Sequence, residues 1–333
     1  MTTFVIGFIA SGMIVMLASL LLARSADGIA EATRLGRLWI GTVLLAAATS
    51  LPELTTGVAS VRLGAPNIAV GELFGSSMAN MLILAIVDLI ARRREVLRRA
   101  ARDHALAASL AIAMNAFAAV LVLARPRASF LRIDPGSVIL AAAYMLGTRV
   151  VYLHGLHEPP VPPSHPDSDK PARAPWSLRR SVLVFVLGTA IVVAAAPIFA
   201  ASAKGLATTT GLGETFVGTW LVGVATSLPE LAACFAAIRI GALDLAVGNL
   251  FGSNAFNMAI LLGLDVAQPG SLYATLDPAH ALTSLLGIVL MALGIAAIVF
   301  RARRRFSLLE PNSLVMVATY GYALWLLFRQ VAT

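Results

Sequence analysis

Long apolar runs separated by short polar breaks dominate the chain. Each run is close to the roughly 20 residues that an α-helix needs to cross the hydrocarbon core of a bilayer. The pattern predicts ten spans, at roughly 4–23, 38–62, 67–90, 104–124, 136–154, 179–203, 213–239, 244–265, 279–300 and 312–330. A membrane β-barrel would instead show segments of about ten alternating residues, a much weaker signal. The first run, from Phe4, has no basic stretch before it and no small-residue cleavage site after it. It reads as a retained helix rather than a signal peptide. Between Glu158 and Pro175 the pattern fails, and Pro159, Pro160, Pro162, Pro163, Pro166, Pro171 and Pro175 alternate with Asp167, Asp169 and Lys170. Such a segment is an extended, solvated linker. The expected organisation is a first five-helix unit at 1–157, a linker at 158–177 and a second five-helix unit at 178–333.

Composition removes the competing classes. Of the 333 residues, 59% are hydrophobic and 13% charged. A soluble domain carries about 25% charged residues, and a disordered chain combines low hydrophobicity with high net charge. The net charge of +8 invites a nucleic-acid reading. The placement of the arginines argues against one. Arg92, Arg93, Arg94, Arg98, Arg99 and Arg102, and the later Arg301, Arg303, Arg304 and Arg305, sit just beyond apolar runs, with no interleaved aromatic residues for base stacking. With the N-terminus outside, the inner loops hold about eighteen Lys and Arg and the outer ones about six. The positive-inside rule then puts the linker in the cytoplasm and both termini outside, in the inner membrane. Cys234 is the sole cysteine, so no intrachain disulfide can form.

The halves repeat each other. Residues 49–88 and 226–265 align without a gap, and about half of the positions are identical, which only duplication explains. Five spans per half place the copies in opposite orientations, the inverted-topology plan of many secondary transporters. The fold class is therefore an all-α integral membrane protein of ten transmembrane helices in two inverted repeats.

Chemistry concentrates in the duplicated stretch. Glu53 and Glu230 fall mid-span, where a charge is expensive unless it is paired, wetted or protonated. No Lys or Arg lies near mid-span to neutralise them; Arg62, Arg149 and Arg239 are near span ends. The counter-charge is therefore mobile, a cation or a proton. Thr49 and Ser50 precede Glu53 on one helical face, as Thr226 and Ser227 precede Glu230. Hydroxyl and carboxylate oxygens suit hard ions such as Ca²⁺. Pro52 and Pro229 lack the N–H that the carbonyls of Ala48 and Ala225 would accept from. At membrane depth such carbonyls need another partner. In the following span of each half, Ser76 and Asn80, and Ser253 and Asn257, again lie four residues apart on one face.

TSLPEL followed by GSxxxN, twice in inverted halves, resembles the cation/Ca²⁺ exchanger superfamily, and within it the prokaryotic sodium/calcium exchanger-like proteins. The resemblance covers nearly the whole chain. It implies a core formed by the second, third, seventh and eighth helices, across which the first and sixth slide. The ligands it implies are Thr49, Ser50, Glu53, Ser76 and Asn80, with Thr226, Ser227, Glu230, Ser253 and Asn257. Backbone carbonyls near Ala46 and Gly223 complete the set. The chain departs from the family pattern by having Asn at both Asn80 and Asn257, Ser77 in place of the Asn of GSN, and Glu72 after Gly71. Glu72 reads as an exposed first-turn acid favoured by the helix dipole, with a third acid along the access path as the other reading. Asp88 and Asp265 read as interfacial acids near helix ends, and Cys234 as a small packing residue. The histidines fall in loops or at span ends and suggest no metal site or proton relay.

The function expected is secondary active antiport, Na⁺ against Ca²⁺, by a monomer in the lipid bilayer. It needs no cofactor beyond the transported Ca²⁺, Na⁺ or H⁺ and no nucleic-acid partner. A cation/proton exchanger using the same two glutamates is the closest alternative, followed by a passive channel. A membrane-embedded hydrolase would need a nucleophile with a base, or a metal held by His or carboxylates. No histidine accompanies either motif.

Overall fold

The computed structural model of the protein describes residues 1–33, 45–90, 103–126, 133–157, 176–239, 243–300 and 311–332. The proline-rich stretch 158–175 and the arginine runs at 92–102 and 301–305 lie outside the described residues. Among the described residues every regular element is a helix: α1 (Thr2–Thr33), α2 (Ala46–Thr49), α3 (Leu51–Arg62), α4 (Pro66–Ile90), α5 (Asp103–Ala124), α6 (Pro135–His157), α7 (Leu178–Thr210), α8 (Glu214–Val217), a π-helical turn (Gly218–Val222), α9 (Gly223–Thr226), α10 (Leu228–Arg239), α11 (Leu243–Ala267), α12 (Leu272–Thr275), α13 (Ala279–Phe300) and α14 (Pro311–Ala332).

Seven stretches among the described residues are long and apolar enough to cross a membrane: Thr2–Leu22, Pro66–Leu89, His104–Ala124, Leu178–Thr210, Glu214–Ile238, Leu245–Ala267 and Ala279–Ile298. Pro135–Val151 is a shorter apolar helix. The chain is a multi-pass integral membrane protein. Burial ranks the spans. The apolar windows of α4 and α11 are 89% and 78% buried, whereas those of α1 and α7 are 28% buried. The motif-bearing helices α4 and α11 therefore form the centre, and α1 and α7 lie at the periphery.

α1 and α7 pack as an antiparallel pair through small residues. Gly7 meets Ser202, Gly12 meets Phe199, Gly28 meets Ser181, Gly188 meets Leu22 and Gly205 meets Phe4. Missing Cβ atoms let the backbones approach, as is usual for helices in lipid. Both helices outrun the apolar spans predicted for them. α1 continues through the polar residues after Leu22 to Thr33, and α7 reaches Thr210, where Gly211 adopts the left-handed conformation (φ 71°).

Two spans predicted as continuous are interrupted. Ser50 (φ −90°, ψ 10°) separates α2 from α3, and Ser227 (φ −83°, ψ 0°) separates α9 from α10. Each break falls two residues before Pro52 or Pro229, whose rings displace the backbone of the preceding turn. Around them, α4 runs parallel to the seventh span in close contact. A Cβ on Gly218 would lie 2.6 Å from the Ile68 carbonyl, one on Gly71 3.0 Å from the Thr215 carbonyl, and one on Gly223 2.9 Å from Gly75 C. Gly75 itself rests on the Thr219 backbone. Against its repeat partner α11, α4 is antiparallel: Asn80 bonds Asn254, and farther along, Leu84 and Phe251 meet at Gly294.

Candidate cation site

The two interrupted spans and the two central helices bring every predicted ligand into one buried region. Thr49, Ser50, Glu53, Ser76, Asn80, Thr226, Ser227, Glu230, Ser253 and Asn257 are each at most 1% exposed. The helix breaks turn the hydroxyls inward. The Ser50 hydroxyl donates to Glu230 Oε1 across the halves at 3.3 Å, and the Ser253 hydroxyl donates to the same oxygen at 3.4 Å. Ser76 donates to the Gly223 carbonyl at 3.1 Å and lies 3.3 Å from the Thr226 hydroxyl. The Gly223 carbonyl also accepts from the Ser227 hydroxyl at 2.8 Å. The Ala46 carbonyl accepts from the Ser50 N–H at 2.9 Å, and the Thr49 hydroxyl lies 3.3 Å from it.

The contacts come in exchanged pairs. Thr49 lies 3.4 Å from Asn249 Oδ1, while its repeat counterpart Thr226 lies beside Glu72, the counterpart of Asn249. Ser253 reaches Glu230 in one half, and Ser76 stands beside Glu53 in the other.

Oxygen atoms outnumber the donors that could satisfy them. Both carboxylate oxygens of Glu53, both of Glu72 and one of Glu230 are buried without a hydrogen-bond partner, as are Asn80 Oδ1 and both polar atoms of the Asn257 amide. Glu53 lies within electrostatic reach of Glu230 and Glu72. No Lys or Arg is among the buried side chains described. Unpaired carboxylates in such a volume cost several kcal/mol each. A bound cation would supply the missing partners, since carboxylate, hydroxyl, amide and carbonyl oxygens are ligands for hard ions.

Some residues stand differently from their sequence reading. Glu72 is not an exposed first-turn acid: it is fully buried, because α4 starts at Pro66 and puts Glu72 in its second turn, beside Thr226. Asn249 and Asn254 were not singled out, yet both face the cluster; Asn254 accepts from Asn80 Nδ2 at 2.9 Å and donates to the Ser77 carbonyl at 3.3 Å. Asp88 and Asp265 do lie near helix ends, but buried in protein. Asp88 accepts from the Ser313 hydroxyl at 2.8 Å, and Asp265 from the Asp134 N–H at 2.7 Å. Burial raises the pKa of the Asp134 carboxyl, the Gly136 N–H opposes this, and Asp265 adds to the rise. Cys234 is buried, with Sγ 3.6 Å from the Ala246 carbonyl, and acts as packing. His104 and His280 are buried near helix starts; His280 contacts Asn67 Oδ1 at 3.1 Å, away from the cluster.

Comparison with known proteins agrees with this geometry. The family model for the sodium/calcium exchanger protein matches residues 3–153 and 180–329. A putative antiporter, CaxA, of Alkalimonas amylolytica is 27% identical over 91% of this chain and 92% of its own length. The sodium/calcium exchanger MaX1 of Methanosarcina acetivorans is 26% identical over 72% of this chain and 76% of its own. The sodium-calcium exchanger NCX_Mj, solved after soaking with Na⁺ and Sr²⁺, superposes with a TM-score of 0.63 at 21% identity, covering 97% of this chain and 98% of that one. The likeness in structure supports the fold, and the family model covers both halves of the chain. The protein is a transporter by descent and belongs to the sodium/calcium exchanger protein family.

Proposed function

We propose that the protein is a secondary active antiporter that exchanges Na⁺ for Ca²⁺ by alternating access. The observation that carries this reading is the buried convergence of Glu53 and Glu230 from the two halves, with no buried Lys or Arg among the described residues to neutralise them. The ligand set is Thr49, Ser50, Glu53, Ser76 and Asn80 with Thr226, Ser227, Glu230, Ser253 and Asn257, and the ions are cargo rather than resident cofactors. The exchanged contacts, and the antiparallel course of α4 and α11, support ten spans in two inverted repeats, 1–157 and 178–333, joined by a cytoplasmic linker at 158–177. The arginine count supports both termini outside, in the inner membrane, and the proposed unit is a monomer.

The mechanism follows from charge. With an ion bound, the core is near neutral and can switch between outward and inward openings. Emptied, it carries unpaired carboxylates that cannot be left desolvated at membrane depth. The loaded states therefore interconvert and the empty one does not, which enforces exchange over leak. The loosely buried α1–α7 pair is the element free to move across the core.

The test is cation uptake into proteoliposomes with Na⁺ and pH gradients imposed separately. Na⁺-driven Ca²⁺ flux at carrier rates is the expected result. Flux driven by the pH gradient alone would assign cation/proton exchange to the same site, and currents far above carrier turnover would assign a channel.

A further inference from the structure

The two halves differ in charge at one position inside the cluster. Under the offset that pairs Glu53 with Glu230, Glu72 pairs with Asn249. Asn249 presents an amide oxygen 3.4 Å from the Thr49 hydroxyl. Glu72 presents a carboxylate beside the Thr226 hydroxyl, with both oxygens buried and unpartnered. The same pocket of the fold is thus neutral on one side of the cluster and acidic on the other.

The surroundings of Glu72 are built for close approach. Gly71 and Gly75, on either side of it along α4, let the π-helical turn sit directly on the helix. That turn holds Thr219, whose hydroxyl is also buried without a partner. Thr215 and Thr219 line a cavity of about 480 Å³ whose rim includes Asp277. No Lys or Arg lines the cavity.

We propose that Glu72, a residue outside the ten-residue set, joins Thr226 of that set in a subsite for one monovalent cation, on one side of the cluster only. The proposal rests on the antiporter reading of that set. It implies that the core balances one more positive charge than Glu53 and Glu230 alone would balance. Asn80 and Asn257, as neutral amides, contribute no charge.

The experiment replaces Glu72 with the residue of its counterpart, Glu72→Asn, and separately with the isosteric Glu72→Gln. Three quantities are read on folded, monodisperse protein: the steepness of Na⁺ activation of Ca²⁺ flux, the reversal potential of that flux at fixed Na⁺ gradients, and Na⁺ binding by calorimetry. Both variants are expected to couple one fewer Na⁺ per Ca²⁺ and to lose one Na⁺ from the binding isotherm. Unchanged steepness, reversal potential and isotherm in both would overturn the subsite and leave the antiporter reading standing. If the unsubstituted protein shows no Na⁺-driven Ca²⁺ flux, the antiporter reading fails, and the isotherm still decides the subsite. An isotherm indifferent to Glu72 rejects it, and one that loses a Na⁺ retains it.

Discussion

At the scale of residues, the proposed exchange rests on buried carboxylates that have no fixed counter-ion among the described residues. Glu53→Gln and Glu230→Gln each remove a charge that would balance a desolvated divalent ion. Uncovering one partner of a buried charge pair costs about 3–5 kcal/mol, and each ~1.4 kcal/mol is tenfold. Ca²⁺ flux in either variant is therefore expected to fall by about 100-fold or more, with the protein still monodisperse. Near-normal flux in both would remove these residues from the site. The glutamates were legible in the sequence because the motif occurs twice and because mid-span charge is rare. Glu72 was harder to read. It lies near a helix start, where acids are common, and the sequence does not say that the seventh span packs directly on α4 at Gly71 and Gly75, on either side of it. The available signal was the spacing Glu72, Ser76, Asn80, four residues apart on one helical face.

At the scale of elements, the site depends on backbones brought closer than side chains would allow. A Cβ on Gly75 would overlap the Thr219 carbonyl, a backbone atom that cannot swing aside. A Cβ on Gly287 would meet only Met78 Cγ at 3.6 Å, an ordinary contact. Gly75→Ala is thus expected to destabilise the protein by about 1–3 kcal/mol, the usual range for overpacking, while Gly287→Ala stays within about 0.5 kcal/mol of the parent. Thermal unfolding in detergent measures both, and equal melting temperatures would mean that the α4–π-turn contact is loose. The prolines mark where the two breaks fall, since a missing N–H is written in the sequence, although hydropathy alone reads each span as continuous. Hydropathy did not predict how far α1 and α7 continue. It follows the bilayer, whereas a helix satisfies its backbone hydrogen bonds in water as well as in lipid.

At the scale of the whole molecule, the proposed orientation rests on the count of arginines per loop. Asp167→Cys in a Cys234→Ala background should resist impermeant thiol reagents applied to intact cells and react after lysis. Ready labelling from outside would invert the topology. Trp176 lies between Arg24 and Arg180, with guanidinium carbons 4.5 and 4.6 Å from its ring. Cations over aromatic faces are favoured, and Trp is enriched at membrane interfaces. The unpartnered carboxylates at the centre have a further consequence, one of mass action. Any ion that binds the folded protein and not the unfolded one raises stability by about 2.7 kcal/mol at a hundredfold excess over its dissociation constant. The melting temperature should then rank ions by affinity, climbing with Ca²⁺ or Na⁺ and staying flat with choline, a cation too large to be held by these oxygens. The Glu53→Gln protein should lose that dependence. A melting curve indifferent to every cation would mean that the core is stable with its carboxylates unfilled.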